Sequence, residues 1–463
     1  MSDPLSIVSC AAVMLACGMV VGRLCRGDRR RERHRRGVRL RSSRAFEFSL
    51  NRASLGRHAL PRLEFVGVSL SLHDETRHFK LIGMTGAGKS TAIQGLLEQA
   101  LARGDRAVFA DPDGGYARRF FQRYRGDILL NPLERHSVRW DLFAELQQHA
   151  DAEDLAASLI VAGVDPGASE WRGYARTLLT SLLRSEWMQA HPHLAELWRL
   201  LSRASPEELR RILGETPAAP FLEPDNARMF GSIRAVAVAA LAPLEHIVRQ
   251  RGTPFSVRRW VGAADRDGCL FMPYQARQIG ALRALIATWT RLAIFQALSG
   301  TAEVDQRLWF VLDELDALGA IDGLKDALAR LRKFGGRCVL GFQSVAQVSS
   351  LYGHGDAQTI IENCGNTLIL RSSSSEQGGT SQFASRQIGE REILRRHVTR
   401  EFGCRGRGAG GGRSGQTSRQ PVIEPAVLAS EIEQLPDLEG YFRRAGADHW
   451  RRVRLRRRPP CLS

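Results

Sequence analysis

A glycine-rich segment at residues 83–90 carries the clearest chemistry in the sequence. It reads GMTGAGKS and fits the pattern G-x-x-x-x-G-K-[ST] between an apolar run, FKLI, and a helical run, TAIQGLLEQAL. Glycines let successive backbone N–H groups turn toward phosphate oxygens at the positive end of the following helix. Lys89 can then reach the β- and γ-phosphates of a nucleotide, and the Ser90 hydroxyl can ligate Mg²⁺. The alternative is an ordinary glycine-rich turn between a strand and a helix.

Lysine is rare in this chain, which favours the phosphate-binding interpretation. Four of the 66 basic residues are lysine, and one of the four stands at position 89. We therefore predict binding of ATP and Mg²⁺ by a loop whose members are Gly83, Met84, Thr85, Gly86, Ala87, Gly88, Lys89, Ser90 and Thr91.

Two acidic residues follow an apolar run at 308–312. This run predicts a buried strand, and Asp313 and Glu314 come directly after it, at the edge where α/β sheets bind ligands. We assign Asp313 to Mg²⁺, directly or through water, and Glu314 to polarising the attacking water. The prediction is hydrolysis and not binding alone. The alternative is that the two acids begin a helix.

Polar residues also end two other predicted strands. Gln343 ends RCVLGFQS, a strand expected beside the phosphate loop, where the amide can hydrogen-bond the γ-phosphate or its water. An ordinary strand-end amide is the alternative, and Gln347 is a weaker candidate. Asp111, in FADPDGG, either lines the site or belongs to a Pro-Asp-Gly turn.

The order of apolar patterns predicts an α/β fold. Strand and helix patterns alternate over residues 60–143 and again from 268 onward, whereas residues 150–250 are helical throughout. We predict a RecA-like P-loop NTPase domain built from residues 60–148 and 251–445, with an inserted all-α domain at 149–250. Residues 402–418 have the Gly/Ser/Arg composition of a flexible loop. Residues 446–463 form a basic tail, whose segment RRVRLRRRPP at 451–460 we expect to fray.

The N-terminal region has the pattern of a membrane anchor. Residues 5–22 carry no charge, and residues 4–24 as one helix would rise about 30 Å, the thickness of a bilayer core. Arginines follow the run, so the positive-inside rule predicts a single-pass protein of the bacterial inner membrane, with the bulk of the chain cytoplasmic. A cleaved signal peptide is the alternative. We interpret residues 25–59 as a basic juxtamembrane segment in contact with anionic lipid, or alternatively with DNA.

Charge is concentrated at the two ends of the chain. The net charge is +17, of which residues 23–44 contribute +9 and residues 441–463 contribute +7. The region between them is nearly neutral, so binding of a polyanion there must depend on local groups. A composition of 43% hydrophobic and 25% charged residues excludes a wholly disordered chain and a collagen-like fibre.

Seven motifs, taken in order, resemble those of the coupling ATPases of type IV secretion and conjugation. They are GMTGAGKST, FADPDG, LLNPLERHSVRWDLF, FVLDELDALGAIDGL, GFQSVAQV and LRSSSSEQ with QIGERE, followed by LPDLEGYF. The resemblance covers about residues 60–445. It implies a membrane-anchored homo-hexamer that hydrolyses ATP to move DNA, with a relaxase or relaxosome and type IV secretion channel components as partners.

Two further expectations concern an arginine at the subunit interface and the mode of DNA binding. Arg371, at the end of NTLIL, matches an arginine that would reach the γ-phosphate held by the neighbouring subunit; an ordinary surface arginine is the alternative. DNA binding should be independent of sequence, since no motif for reading bases is present. The alternative functions are a cytosolic or septal-type DNA translocase or helicase without a secretion channel, and a nucleotide-binding scaffold without catalysis.

Overall fold

The computed structural model describes residues 32–41, 60–161, 166–263, 267–300, 307–375, 379–401 and 414–456. The predicted membrane span at 4–24 lies outside these ranges. Within them, no helix combines the length and the apolar character that crossing a bilayer requires.

The strands of the described residues form one large sheet and three small ones. In chain order they are β1 (Glu32–Gly37), β2 (Arg39–Arg41), β3 (Leu63–Phe65), β4 (Val68–Leu70), β5 (Phe79–Ile82), β6 (Arg106–Pro112), β7 (Ile128–Leu129), β8 (Arg139–Trp140), β9 (Pro254–Phe255), β10 (Leu270–Tyr274), β11 (Leu308–Leu312), β12 (Arg337–Phe342), β13 (Asn366–Leu370), β14 (Glu390–Glu401), β15 (Ser414–Pro425), β16 (Glu439–Arg443) and β17 (His449–Arg454).

The helices lie between these strands and on both faces of the large sheet. They are α1 (Leu72–Glu75), α2 (Lys89–Ala102), α3 (Gly115–Phe120), α4 (His149–Leu159), α5 (Pro166–Trp187), α6 (Leu194–Arg203), α7 (Pro206–Leu213), α8 (Ala227–Leu241), α9 (Leu244–Arg249), α10 (Val257–Gly262), α11 (Ile279–Ser299), α12 (Leu324–Leu331), α13 (Val345–Tyr352), α14 (His354–Asn363), α15 (Gly379–Ile388) and α16 (Ala429–Glu433).

The large sheet has the order β2-β17-β16-β13-β5-β12-β11-β6-β10-β7. From β13 to β7 the neighbouring strands run parallel, whereas β16 is antiparallel to β13. Strands β5, β11, β12 and β13 are buried along their whole length, because helices cover both faces. The expected α/β class is confirmed.

Two apolar cores flank the large sheet. One lies between the sheet and the phosphate-loop helix α2 together with the β3–β4 hairpin. The other packs the opposite face against α11 to α14 and continues without interruption into α4 to α9. Between β8 and β9 the described residues form helices and turns without a strand, and α4 packs on α11, the helix that covers this face of the sheet.

Strands replace two of the segments that we expected to be irregular. His449–Arg454 form β17, which pairs with β16, so the prediction that 451–460 fray is wrong for residues 451–454. Trp450 and Val453 are buried in the two opposite cores while Arg452 and Arg454 are exposed, so the strand shows no simple alternation that the sequence could have revealed. Residues 414–418, assigned to the glycine-rich loop at 402–418, belong to β15, which pairs with β14 along its whole length.

Part of the basic juxtamembrane segment predicted at 25–59 is also folded. Its residues 32–37 pair with β14 as β1, and residues 39–41 pair with β17 as β2. A single strand of arginines gives no apolar periodicity, so the sequence offered no signal for either pairing. Removal of residues 1–44 would therefore delete both strands.

A buried ion-pair network joins the amino-terminal edge of the sheet to α1. Glu75 accepts hydrogen bonds at 2.8–2.9 Å from the Arg103 and Arg337 guanidinium groups, and all three side chains are almost fully buried. Removing one partner of a buried ion pair typically costs about 3–5 kcal/mol. We expect Glu75→Gln to lower the free energy of unfolding by about that amount, measured by chemical denaturation.

The matched control is Glu245→Gln, which breaks an exposed pair with Arg249 in α9. Exposed pairs contribute about 0–1 kcal/mol, so the control should change stability little. Equal losses in the two variants would contradict a structural role for the buried network.

Candidate nucleotide-binding site

The glycine-rich loop connects β5 to α2 as the motif requires. Gly86 and Gly88 have φ values of +79° and +116°, in the left-handed region that favours glycine. Gly88 precedes α2 and no side chain caps the first turn. The loop therefore presents the positive end of α2 toward the space that a phosphate would fill.

Lys89 is buried inside this loop. Its Nζ donates hydrogen bonds to the carbonyl oxygens of Gly83, at 2.7 Å, and Met84, at 3.3 Å. Burial lowers the pKa of Lys89, and the carboxylates of Asp313 and Glu314 act against that shift. The ammonium is thus held at the base of the site beside two acidic groups.

Asp313 lies at the carboxyl end of β11 and reaches the phosphate loop. Its Oδ2 accepts hydrogen bonds from Ser90 Oγ at 2.5 Å and from the Tyr116 hydroxyl at 2.7 Å. Its Oδ1 is buried and has no hydrogen-bond partner among the described residues. Burial raises the pKa of Asp313, and the two hydrogen bonds oppose this rise. A serine hydroxyl beside a carboxylate with a free oxygen is a donor set that fits Mg²⁺.

Tyr116 was not among the residues predicted for the site. It belongs to the short helix α3, which follows the strand end at Asp111. Asp111 is fully buried and accepts hydrogen bonds from the backbone N–H groups of Tyr116 and Ala117, at 2.8 and 2.7 Å. Asp111 therefore fixes the start of α3, and α3 places the tyrosine hydroxyl on Asp313.

Glu314 lies beside Asp313 at the edge of an open cleft with a volume of about 200 Å³. It is half-buried, and its pKa is raised first by burial and then by the carboxylates of Asp313 and Asp316. The cleft is also lined by Thr85, Gly86, Gly88, Lys89, Ser90, Thr91, Asp313 and Leu438. The structure thus brings the phosphate-loop residues and both predicted acids together.

The remaining predicted residues lie near this cleft but do not line it. Ala87 is buried within the loop, and Gly83 and Met84 contribute the carbonyl oxygens that hold Lys89. Gln343 is half-buried at the end of β12, which pairs with β5 as expected. Arg371 follows β13, the other neighbour of β5, and its guanidinium pairs with Asp437 at 2.6 Å.

The segment around Leu438 packs on the phosphate loop. Leu438 donates its backbone N–H to the Ala87 carbonyl at 3.0 Å and has a φ of +64°, unusual for a leucine. A Cβ at Gly88 would lie 2.9 Å from side-chain atoms of both Leu438 and Leu455. The glycine at 88 is therefore required by close packing as well as by its backbone conformation.

Gly341 in β12 makes room for Asp313. A Cβ at this position would lie 2.6 Å from Asp313 Oδ1 and 3.2 Å from its Cα. We expect Gly341→Ala to displace Asp313, to weaken Mg²⁺-dependent nucleotide binding, and to lower the free energy of unfolding by about 1–3 kcal/mol. Calorimetric titration with and without Mg²⁺ and chemical denaturation measure the two effects.

Gly355→Ala is the matched control, because a Cβ there would meet nothing within 4 Å. This variant should bind nucleotide like the original chain. If Gly341→Ala bound nucleotide with unchanged Mg²⁺ dependence, Asp313 would not be a metal ligand.

Comparison with known proteins agrees with this geometry. Residues 62–456 match the family model described as the type IV secretion-system coupling protein DNA-binding domain. The chain belongs to this family. The resemblance found in the ordered motifs is therefore confirmed.

Solved and curated coupling proteins are similar to this chain over much of its length. The unbound bacterial conjugative coupling protein TrwBdeltaN70 has a TM-score of 0.79 and 28% identity, covering 92% of this chain and 94% of that one. The structure of plasmid coupling protein TrwB in complex with ADP and Mg²⁺ also has a TM-score of 0.79, with 29% identity and 93% and 95% coverage. Coupling protein TraD of Escherichia coli K12 is 32% identical over 378 residues, which are 79% of this chain. The chain spans about half of TraD's length, 51%.

Proposed function

We propose that this chain is a coupling ATPase of the bacterial inner membrane, which hydrolyses ATP to deliver DNA or a protein–DNA substrate into a type IV secretion or conjugation channel. One observation carries the catalytic part of the proposal: Asp313 bonds to Ser90 of the phosphate loop, and its second oxygen has no partner in the described part of the chain. Membership of the coupling-protein family supports the transport part.

Each side chain of the cleft has a distinct role in this proposal. Lys89 neutralises charge on the β- and γ-phosphates, and Ser90 and Asp313 hold Mg²⁺. The metal, when bound, stabilises charge that develops on the phosphate oxygens. Glu314 accepts a proton from the attacking water, and its raised pKa suits it to that task near neutral pH. Gln343 orients the water or the γ-phosphate from the adjoining strand.

The similar proteins support the cofactors and the partners. TrwB has been solved with ADP and Mg²⁺ and with the ATP analogue ADPNP, and the matched family model is named for DNA binding. We propose the same nucleotide, metal and DNA for this chain, together with assembly into a homo-hexamer. The predicted span at 4–24 would anchor the ring, and a relaxosome and channel components would be its partners.

DNA-stimulated ATP hydrolysis by the full-length chain in detergent micelles tests this proposal. We expect single-stranded or duplex DNA of any sequence to raise the rate of phosphate release, and the DNA affinity to fall steeply with added salt. A rate of ATP hydrolysis that does not change when DNA is added would contradict the proposal. Strong competition by one particular duplex sequence would contradict sequence-independent binding.

A cytosolic or septal-type translocase is the second candidate function. It would share the catalytic residues but would not need residues 4–24. Fusion of residues 1–31 to a soluble reporter distinguishes the two functions: retention of the reporter in the membrane fraction supports the anchored coupling protein, and release supports the alternative.

Arg371 is proposed to act on the nucleotide of the neighbouring subunit. Its side chain is 32% exposed, and Asp437 holds it at the rim of the loop near Met84. Arginine fingers contribute roughly 10³–10⁵ in rate, so Arg371→Ala should bind ATP but hydrolyse it about 10³-fold more slowly or worse. Full DNA-stimulated activity in this variant would refute the assignment.

Action across an interface makes a sharper prediction. Mixing Arg371→Ala subunits with Lys89→Ala subunits should restore part of the activity, because some interfaces then combine an intact loop with an intact arginine. If the subunits are shown to exchange and the mixture still does not hydrolyse ATP, trans action is contradicted. Arg371 would then act within its own subunit, or hydrolysis would need several intact sites around the ring.

A further inference from the structure

A small sheet outside the nucleotide-binding core has one basic and apolar face. It consists of β1, β14 and β15 in the order β1-β14-β15, with antiparallel neighbours. Residues directly opposite each other in such a sheet share a face. The register places Arg36 opposite Glu392 and Glu392 opposite Ile423. These residues therefore stand in one row across the three strands.

The next row extends the same face. Arg33 lies opposite Leu394, and Leu394 lies opposite Pro421, while Arg419 is two residues from Pro421 and so shares its side of β15. Ile423 is 64% exposed, and Arg33 and Arg419 are exposed as well. We call this surface the outer face, formed by Arg33, Arg36, Glu392, Leu394, Arg419, Pro421 and Ile423. Ile393, on the other side of β14, is buried.

The acid of the outer face is already neutralised. Glu392 is nearly buried and forms ion pairs with Arg35 and Arg36, whose side chains stay 57% and 75% exposed. Arg35 lies at the irregularity in the β1–β14 register, which lets two consecutive arginines reach one glutamate. The exposed charge on this face is therefore positive, and the same face carries an exposed isoleucine.

The position of β1 in the sequence indicates what this face meets. The uncharged run ends at residue 22, and β1 begins at Glu32. Ten residues span at most about 36 Å, so a span that crosses the bilayer would keep the small sheet close to the lipid headgroups. Exposed arginines around an exposed apolar side chain suit the interface of an anionic bilayer. Single-stranded DNA would instead favour aromatic side chains, which the described part of this face lacks.

We propose that the outer face of the β1-β14-β15 sheet docks on the anionic lipid surface beside the membrane anchor, with Ile423 entering the headgroup region. This inference rests on the proposed anchor. Each arginine near an anionic surface strengthens such a contact about fivefold, so the three arginines of the outer face act together. The contact would fix the orientation of the nucleotide-binding core relative to the membrane.

The test measures the exposure of position 423 in the full-length chain. The Ile423→Cys variant is reconstituted into vesicles of phosphatidylcholine alone, or of three parts phosphatidylcholine and one part phosphatidylglycerol. A water-soluble maleimide is added, and peptide mass spectrometry gives the labelling rate at residue 423 itself. Met188→Cys is the matched control, since Met188 is 68% exposed in the helical region.

We expect labelling at 423 to be about tenfold slower in the anionic vesicles, and labelling at 188 to be equal in both. Arg33→Gln with Arg419→Gln, which leaves the Glu392 ion pairs intact, should restore fast labelling at 423. The same substitution at Arg211 and Arg251, two exposed arginines elsewhere, should not.

Four results would overturn the proposal. Equal labelling of 423 in both kinds of vesicle would show that the face does not meet anionic lipid. Slow labelling in neutral vesicles would indicate a protein contact, and slow labelling only after addition of duplex DNA would indicate a nucleic-acid surface. Flotation of the chain with the vesicles tests the anchor separately, and a chain that does not float refutes anchor and docking together. ATP hydrolysis in the same samples tests the proposed function.

Discussion

Lys89→Ala should abolish ATP hydrolysis while leaving the fold intact. Among the described residues the Lys89 Nζ bonds to loop carbonyl oxygens and is flanked by the Asp313 and Glu314 carboxylates, and Lys89 belongs to neither apolar core. The substitution removes the positive charge that Lys89 would hold beside the nucleotide phosphates. Removal of a single preorganised stabilising group typically lowers kcat on the order of 10²–10³-fold, and we expect at least this loss. A phosphate-release assay measures it, and thermal unfolding checks the fold.

Lys325→Ala is the matched control for Lys89→Ala. Lys325→Ala also removes one lysine and one interaction, an exposed ion pair with Asp356 at 2.9 Å. This variant should hydrolyse ATP at the original rate. If Lys89→Ala matched the control in activity, the phosphate site would lie elsewhere in the molecule.

Glu314→Gln should separate binding from hydrolysis. The variant keeps Lys89, Ser90 and Asp313, which hold the phosphates and the metal, and it loses only the group that accepts a proton from water. General-base catalysis contributes about 10²–10⁴-fold, so kcat should fall by that order while the affinity for ATP with Mg²⁺ stays near its original value. Titration calorimetry and single-turnover kinetics give the two quantities.

Glu223→Gln, an exposed glutamate of the helical region, is the control for the charge change. Loss of nucleotide binding in Glu314→Gln would contradict the division of roles between the two acids. Full ATPase activity in Glu314→Gln would show that Glu314 is not the base that accepts a proton from water.

The raised pKa of Glu314 also predicts a pH dependence. A base must be deprotonated to accept a proton, and the causes that raise its pKa are burial and the neighbouring carboxylates of Asp313 and Asp316. As the pH falls, kcat should therefore decline at a pH above the ordinary glutamate value of about 4.3. Glu314→Gln should lack this acid limb, because glutamine does not titrate.

Much of the site could be predicted because its signals are local. The loop at 83–91 carries its glycines, lysine and serine within one short segment, and Asp313 and Glu314 follow an uninterrupted apolar strand. The order of strands then brings these segments together, since β5 and β11 lie on either side of β12. The places of Gln343 and Arg371 next to β5 follow from the same parallel arrangement.

The residues that sequence analysis missed act over long separations. Tyr116 meets Asp313 across 197 positions of the chain, and Leu438 meets Ala87 across the whole domain. Gly341 matters only because Asp313 lies on the neighbouring strand. None of these contacts leaves a periodic or spaced pattern in the sequence. The basic ends were mispredicted for another reason: arginine dominates the strands β1, β2 and β17, so none of them shows an apolar periodicity in the sequence.

The most direct test is displacement of a third DNA strand from a triplex by the full-length chain. If hydrolysis in this cleft moves DNA, displacement requires ATP and Mg²⁺, occurs on triplexes of unrelated duplex sequence, and is lost in Glu314→Gln although this variant still binds ATP. Rapid DNA-stimulated hydrolysis without any displacement, or displacement that proceeds equally in Glu314→Gln, would contradict the claim that hydrolysis in this cleft moves DNA.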